Sequence, residues 1–149
     1  MRYKTLGTTG EKLSALTLGT WGIGGTGWGE TSQSNSLAAI DRMLELGVNL
    51  VDTAPVYGFG NPGEQDFGFG CAERLLAKAL KGRRDKVFLV TKCGLNYDRS
   101  KGPSSAYRSM SAQEIREGCE NSLRRLGTDY LDLLLVHWPD GKTPLEEVA

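Results

Sequence analysis

Four residues of this chain could do proton chemistry together: Asp52, Tyr57, Lys92 and His137. Asp52 follows the apolar run 48–51, Lys92 follows 86–91, and His137, the single histidine, follows 131–136. Each therefore stands at the C-terminal end of a stretch that reads as a short buried strand, which is where a parallel-sheet protein collects its functional groups. Tyr57 arrives five residues after Asp52, through Thr53-Ala54-Pro55-Val56, and is followed by Gly58. A phenol with a pKa of ~10 is too weak an acid to quench charge developing on an oxygen unless a cation stabilises its phenolate. Lys92 could be that cation, Asp52 could hold it in place, and a neutral His137 could orient the oxygen by a hydrogen bond. Each residue also has a plainer role open to it. Asp52 could cap the loop after its strand, Tyr57 could be packing, Lys92 could be a solvated charge and His137 could be structural.

The elements that must position these groups follow one pattern. Residues 1–6 and 11–15 read as a hairpin around the turn at 7–10, and residues 16–18 as a strand that runs into a glycine-rich loop. Helices are expected over residues 36–46, with Gly47 as stop, over 72–81, stopped at Gly82, and after the capping box Ser111-Ala112-Gln113-Glu114, closed by Gly127. Residues 94–110 read as a long polar loop and 81–86 as a solvated basic turn. Thr143-Pro144-Leu145-Glu146 reads as the cap of a further helix. Four successive strand-then-helix units, recurring at roughly 35 to 45 residues, indicate a right-handed parallel α/β sheet and are compatible with a (β/α)₈ TIM barrel. Such a barrel needs about 250 residues. The 149 residues here are accordingly read as one domain, 1–149, holding an N-terminal hairpin and about the first four units, truncated at the start of the fourth helix.

Gly22-Ile23-Gly24-Gly25-Thr26-Gly27 spells the dinucleotide-binding pattern G-x-G-x-x-G. That fingerprint needs its third glycine to open a helix, and here residues 28–32 intervene before any helical period begins, which weighs against it.

Composition narrows the classes. Eighteen basic and eighteen acidic residues leave no net charge, so nothing in the balance favours nucleic acid or an anionic membrane. No apolar run is long enough for a membrane span, and the first ten residues lack a signal-peptide core, so a cytoplasmic location is expected. Cys71, Cys93 and Cys119 have no metal-ligand spacing, which suits free thiols in a reducing compartment, and no metal site is expected. Cys93, although next to Lys92, is read as buried filler.

The motifs together resemble the N-terminal half of an aldo-keto reductase. They are Asp52-Thr53-Ala54 with Tyr57-Gly58, Lys92 after Val90-Thr91, Ser122-Leu123-Arg124-Arg125-Leu126-Gly127-Thr128-Asp129-Tyr130, and His137-Trp138-Pro139. The resemblance implies an oxidoreductase that reduces aldehydes or ketones by hydride transfer from NADPH, NADH not excluded, with Tyr57 as proton donor and a small carbonyl compound as substrate. It further implies that Gly19, Thr20, Trp21 and Asp52 border the nicotinamide, and that Trp21, Tyr57 and His137 face the substrate. Residues 61–70 look inserted relative to the family, and Ala72 stands where a serine usually precedes Glu73. Trp28 and Trp138 are read as rim or core aromatics. Two other expectations accompany these: self-association through an open half barrel, and, as the competing class, a non-catalytic or regulatory member of the same fold.

Overall fold

Two antiparallel β-ribbons flank one parallel sheet. The computed structural model describes residues 1–25, 27–29 and 32–148; Thr26 of the glycine-rich loop, Glu30 and Thr31 before the first helix, and Ala149 lie outside the described residues. In chain order the elements are β1 (Tyr3–Thr5), β2 (Lys12–Ser14), β3 (Thr17–Gly19), α1 (Gln33–Glu45), β4 (Leu50–Asp52), α2 (Cys71–Ala79), β5 (Phe88–Cys93), β6 (Leu95–Asn96), β7 (Tyr107–Arg108), α3 (Ala112–Leu126) and β8 (Leu133–Val136). The parallel sheet has the order β3-β4-β5-β8, with Gly19 opposite Asp52, Asp52 opposite Val90, and Lys92 opposite Leu135. Helices follow strands as the apolar spacing predicts. They bury Ile40, Leu75, Leu76, Ala79 and Leu126 against Leu18, Val51 and Leu89 of the sheet.

The N-terminal ribbon is tied beneath the sheet by side chains. Asn49 accepts from Ser14 N at 2.7 Å and donates to Lys12 O at 2.8 Å, while Tyr3 Oη donates to Gly47 O at 2.8 Å. Gly47 itself has φ +86°, the left-handed turn expected of the helix stop.

Several boundaries differ from the sequence expectation. α1 starts at Gln33, not 36, because the Ser32 hydroxyl accepts from Asn35 N; apolar periodicity alone begins a turn later. Residues 94–110 contain the β6/β7 ribbon, with Leu95 opposite Arg108 and Asn96 opposite Tyr107, strands too short to carry a period of two. Ser111 caps α3 through Glu114 N as expected, but the Glu114 carboxylate accepts from Tyr107 Oη at 2.8 Å and does not return to Ser111 N. Thr143 caps nothing: its hydroxyl donates to Asp140 at 2.8 Å, and only a 3₁₀ turn, Leu145–Glu147, follows Pro144. The basic turn is only partly solvated. Arg83 pairs with Asp41, and Arg84 bonds Asp132 at 2.7 Å and Val87 O at 2.9 Å. Asp132 also accepts from Leu89 N at 2.8 Å, so Arg84 with Asp132 locks the entry to β5 while Arg83 joins α1 and α2.

Among the described residues no helix is long and apolar enough to cross a membrane.

Candidate active site

Register puts the polar strand ends side by side. Asp52 closes β4, and Lys92 lies two positions beyond Val90, the partner of Asp52, so its side chain reaches back over the end of β4. Lys92 Nζ donates to Asp52 Oδ2 at 2.6 Å and to Thr53 O at 2.9 Å, and the residue is buried. His137 extends the β8 ladder, its N–H donating to Cys93 O at 2.9 Å. Tyr57 is brought in by a turn in which its N–H donates to Ala54 O, and its hydroxyl donates to Asp52 Oδ1 at 3.3 Å. Lys92 Nζ lies 4.9 Å from the centre of the Tyr57 ring, and the His137 ring meets Tyr57 edge-on at 5.9 Å. Asp52, Tyr57, Lys92 and His137 therefore form one cluster at the C-terminal end of the sheet.

Burial, and then the Lys92 charge, hold the His137 imidazole down to about 4, with Asp52 opposing more weakly. At neutral pH the ring is uncharged and can donate a hydrogen bond without carrying a charge. The imidazole also stacks on Trp138, with ring centres 3.7 Å apart.

Of the residues expected to border a cofactor, Gly19 is exposed opposite Asp52, with no heavy atom within 4 Å of where a side chain would stand. Trp21 is exposed and lies nearly parallel to Tyr57 at 6.2 Å. Thr20 differs from expectation, because it is fully buried: its hydroxyl hydrogen-bonds Asp52 O at 3.1 Å and Thr53 Oγ1 at 2.9 Å. It braces Asp52 from beneath the rim.

The sequence model of the Aldo/keto reductase family matches residues 15–149. The chain belongs to the aldo/keto reductase family. It is 42% identical, over its whole length, to the aldo-keto reductase YhdN of Bacillus subtilis (strain 168), and covers 41% of that protein. It is 38% identical to the NADH-specific methylglyoxal reductase of Escherichia coli (strain K12), covering 46% of it. Among solved structures, the holo form of aldo-keto reductase AKR11C1 from Bacillus halodurans superposes with a TM-score of 0.81 at 32% identity, over 99% of this chain and 44% of that one. The fold of these solved relatives is the (β/α)₈ barrel, of which the four parallel strands here are an N-terminal portion. The chain thus spans less than half the length of the relatives it matches.

Some supports of the cluster escape a reading of residue types in this aldo/keto reductase chain. The carbonyl of Thr53, not a side chain, is the second partner of Lys92. Gly24 packs its 3₁₀ turn onto the Tyr57-Gly58 backbone so closely that a Cβ there would stand 2.6 Å from Gly58 N. Of the three glycines that spell the dinucleotide pattern, Gly24 serves this backbone contact, while Gly22 and Gly27 have nothing within 4 Å of where a Cβ would stand. Cys71 Sγ donates to Tyr57 O at 3.1 Å. Behind β5, Glu73 is completely buried and accepts from Thr91 Oγ1 at 2.7 Å and Arg125 Nε at 2.5 Å. Cys93 is buried as expected, its thiol pointing at Leu135 O.

Proposed function

We propose that this segment carries the proton-transfer machinery of a nicotinamide-dependent reductase that converts aldehydes or ketones to alcohols. The observation that carries the proposal is the Tyr57 hydroxyl held on Asp52, with the Lys92 ammonium 4.9 Å from its ring and an uncharged imidazole beside it. Tyr57 donates its proton to the carbonyl oxygen. Lys92 stabilises the charge left on the phenol, and Asp52 with Thr53 O holds the ammonium in place. His137, neutral at physiological pH, donates a hydrogen bond that fixes the carbonyl beside Tyr57.

The open space beside Gly19 and the uncovered Trp21 ring leave room for a flat heterocycle next to Asp52. NADPH or NADH would lie there, bordered by Gly19, Trp21 and Asp52, and when bound would supply the hydride. A relative named for NADH specificity keeps both cofactors within the proposal. The substrate is a small carbonyl compound, and a cytoplasmic location goes with both ligands. A purely regulatory role would leave a buried ammonium, a carboxylate, a phenol and an imidazole gathered for no chemistry.

Replacing Tyr57 with Phe tests the reading, because it removes the acid and almost no surface. In a polypeptide that contains this segment and turns over, Tyr57→Phe should cut reduction of a test aldehyde by at least about 10²-fold and leave cofactor binding largely intact. Wild-type turnover in that variant refutes the assignment.

A further inference from the structure

Two indoles stand uncovered beside Tyr57. Trp21 is 57% and Trp28 59% exposed, whereas tryptophan is highly buried on average. They meet edge to face, with ring centres 5.3 Å apart and planes at 77°, and Trp21 continues the stack onto Tyr57. The backbone is built to hold Trp28 there. Gly27 and Gly29 on either side have φ +80° and +89°, conformations that residues with a Cβ rarely adopt, and Trp28 N donates to Gly25 O at 3.3 Å. A contiguous exposed apolar surface adjoining polar groups is the signature of a ligand surface.

We propose that Trp28 is a specificity-determining residue of the reaction: with Trp21 it forms an aromatic corner that receives a flat, apolar group carried a few bonds away from the reacting carbonyl. This rests on Tyr57 as the proton donor, because the carbonyl must sit at its hydroxyl. Trp28 is two ring contacts removed from that point, Trp21 lying between. A substrate that extends past Trp21 meets Trp28, so an aryl group on a short chain has more of the corner to occupy than a three-carbon aldehyde. Edge-to-face and offset contacts favour an aromatic guest. A polyol is disfavoured, because each indole offers only a single N–H donor and no acceptor.

Binding of the alcohol products reads the corner without turnover. Dissociation constants of 3-phenylpropanol, 1-propanol and glycerol are measured by ligand-observed NMR in a monomeric polypeptide that contains this segment, as wild type, Trp28→Phe and Trp28→Ala. Wild type should prefer 3-phenylpropanol to 1-propanol, Trp28→Ala should shrink that preference about tenfold, and Trp28→Phe should keep most of it. In a turnover-competent polypeptide the ratio of kcat/KM for 3-phenylpropanal over propanal should fall in parallel, with KM carrying the change. An unmoved ratio, an equal loss for both alcohols, or glycerol bound better than 3-phenylpropanol overturns the proposal. Failure of the proton-donor reading is a different result: Tyr57→Phe then keeps its turnover, and the alcohol preference is still measured.

Discussion

Replacing Arg125 should strongly destabilise this chain, although Arg125 lies outside the cluster at the strand ends. Its Nε reaches Glu73 at 2.5 Å, and Glu73 is 0% exposed. The remaining Glu73 oxygen accepts from Thr91, so the carboxylate ties α2, α3 and β5 together. Arg125→Met keeps most of the aliphatic stem but leaves a buried carboxylate with one neutral donor. Breaking a buried pair by removing one partner costs about 3–5 kcal/mol, a large share of the ~5–15 kcal/mol that stabilises a whole domain. With a urea m-value of roughly 2 kcal/mol per molar, the midpoint should fall by about 2 M. Far-UV circular dichroism in urea measures it, at a protein concentration low enough to suppress association. The double variant Glu73→Leu with Arg125→Met removes both charges, and should recover much of the loss because two apolar side chains need no partners. A midpoint shift under about 0.5 M in Arg125→Met, on the same m-value scale, would show that the carboxylate finds water or another donor. A double variant no better than the single one would show that packing, not the stranded charge, is responsible.

Lys92→Met tests the electrostatic role of the ammonium. With Nζ 4.9 Å from the centre of the Tyr57 ring and an effective dielectric of ~20, a unit charge is worth about 3 kcal/mol to charge spread over the phenolate ring, so kcat for a test aldehyde should fall about 10²-fold; an unchanged kcat refutes it. His137 gives a pH dependence. Its folded value of about 4 lies below the ordinary 6.5, so below pH 6.5 the unfolded chain takes up a proton that the folded chain refuses. Stability should decline as pH falls from 6.5 towards 4 and this contribution should level off below, amounting to on the order of 2 kcal/mol after solvent screening. Urea midpoints across that window should slope less in His137→Asn than in wild type, and identical slopes exclude the burial argument. As an isolated 149-residue polypeptide the chain should self-associate and hold NADPH weakly, because among the described residues β3 and β8 each pair on one side only and Leu133 and Leu135 of β8 are exposed. Light scattering with an NADPH fluorescence titration checks both, and a monomer that binds tightly contradicts them.

The strand ends were legible because parallel strands buried on both faces are continuous apolar runs, so a charged residue at the end of one is conspicuous. Gly47 and Gly127 marked helix ends for a similarly local reason, both standing at positive φ. What stayed hidden is non-local or carried by the backbone. Glu73 and Arg125 are 52 residues apart in sequence, and neither has a neighbour that announces the pair. The Thr53 carbonyl has no residue type to read, and the contact of Gly24 with Gly58 depends on a fold in place. Residues 61–70 were read as an insertion. They fold into a turn with Asp66 and Phe67 at positive φ, and Phe59 just before the segment and Phe69 within it pack on Tyr97 at 4.7 and 5.2 Å. That aromatic knot joins the loop to the β6/β7 ribbon, an element whose two-residue strands also lack a sequence period.

Adjacent residues of β5 serve opposite faces, and this divides labour between stability and chemistry. Thr91 turns outward to Glu73, and Lys92 turns inward to Asp52. On the inner face nearly every polar group is firmly committed: Lys92 holds Asp52 at 2.6 Å and Thr53 O at 2.9 Å. The longest bond of the cluster is the one from the Tyr57 hydroxyl to Asp52, at 3.3 Å. Hydrogen bonds weaken with length, so this donor gives up least when it turns to another acceptor. The hydrogen bond that the proposed proton donor must give up is therefore longer than those that hold the ammonium. The groups that must stay in place, the ammonium and its carboxylate, are held by the shorter bonds.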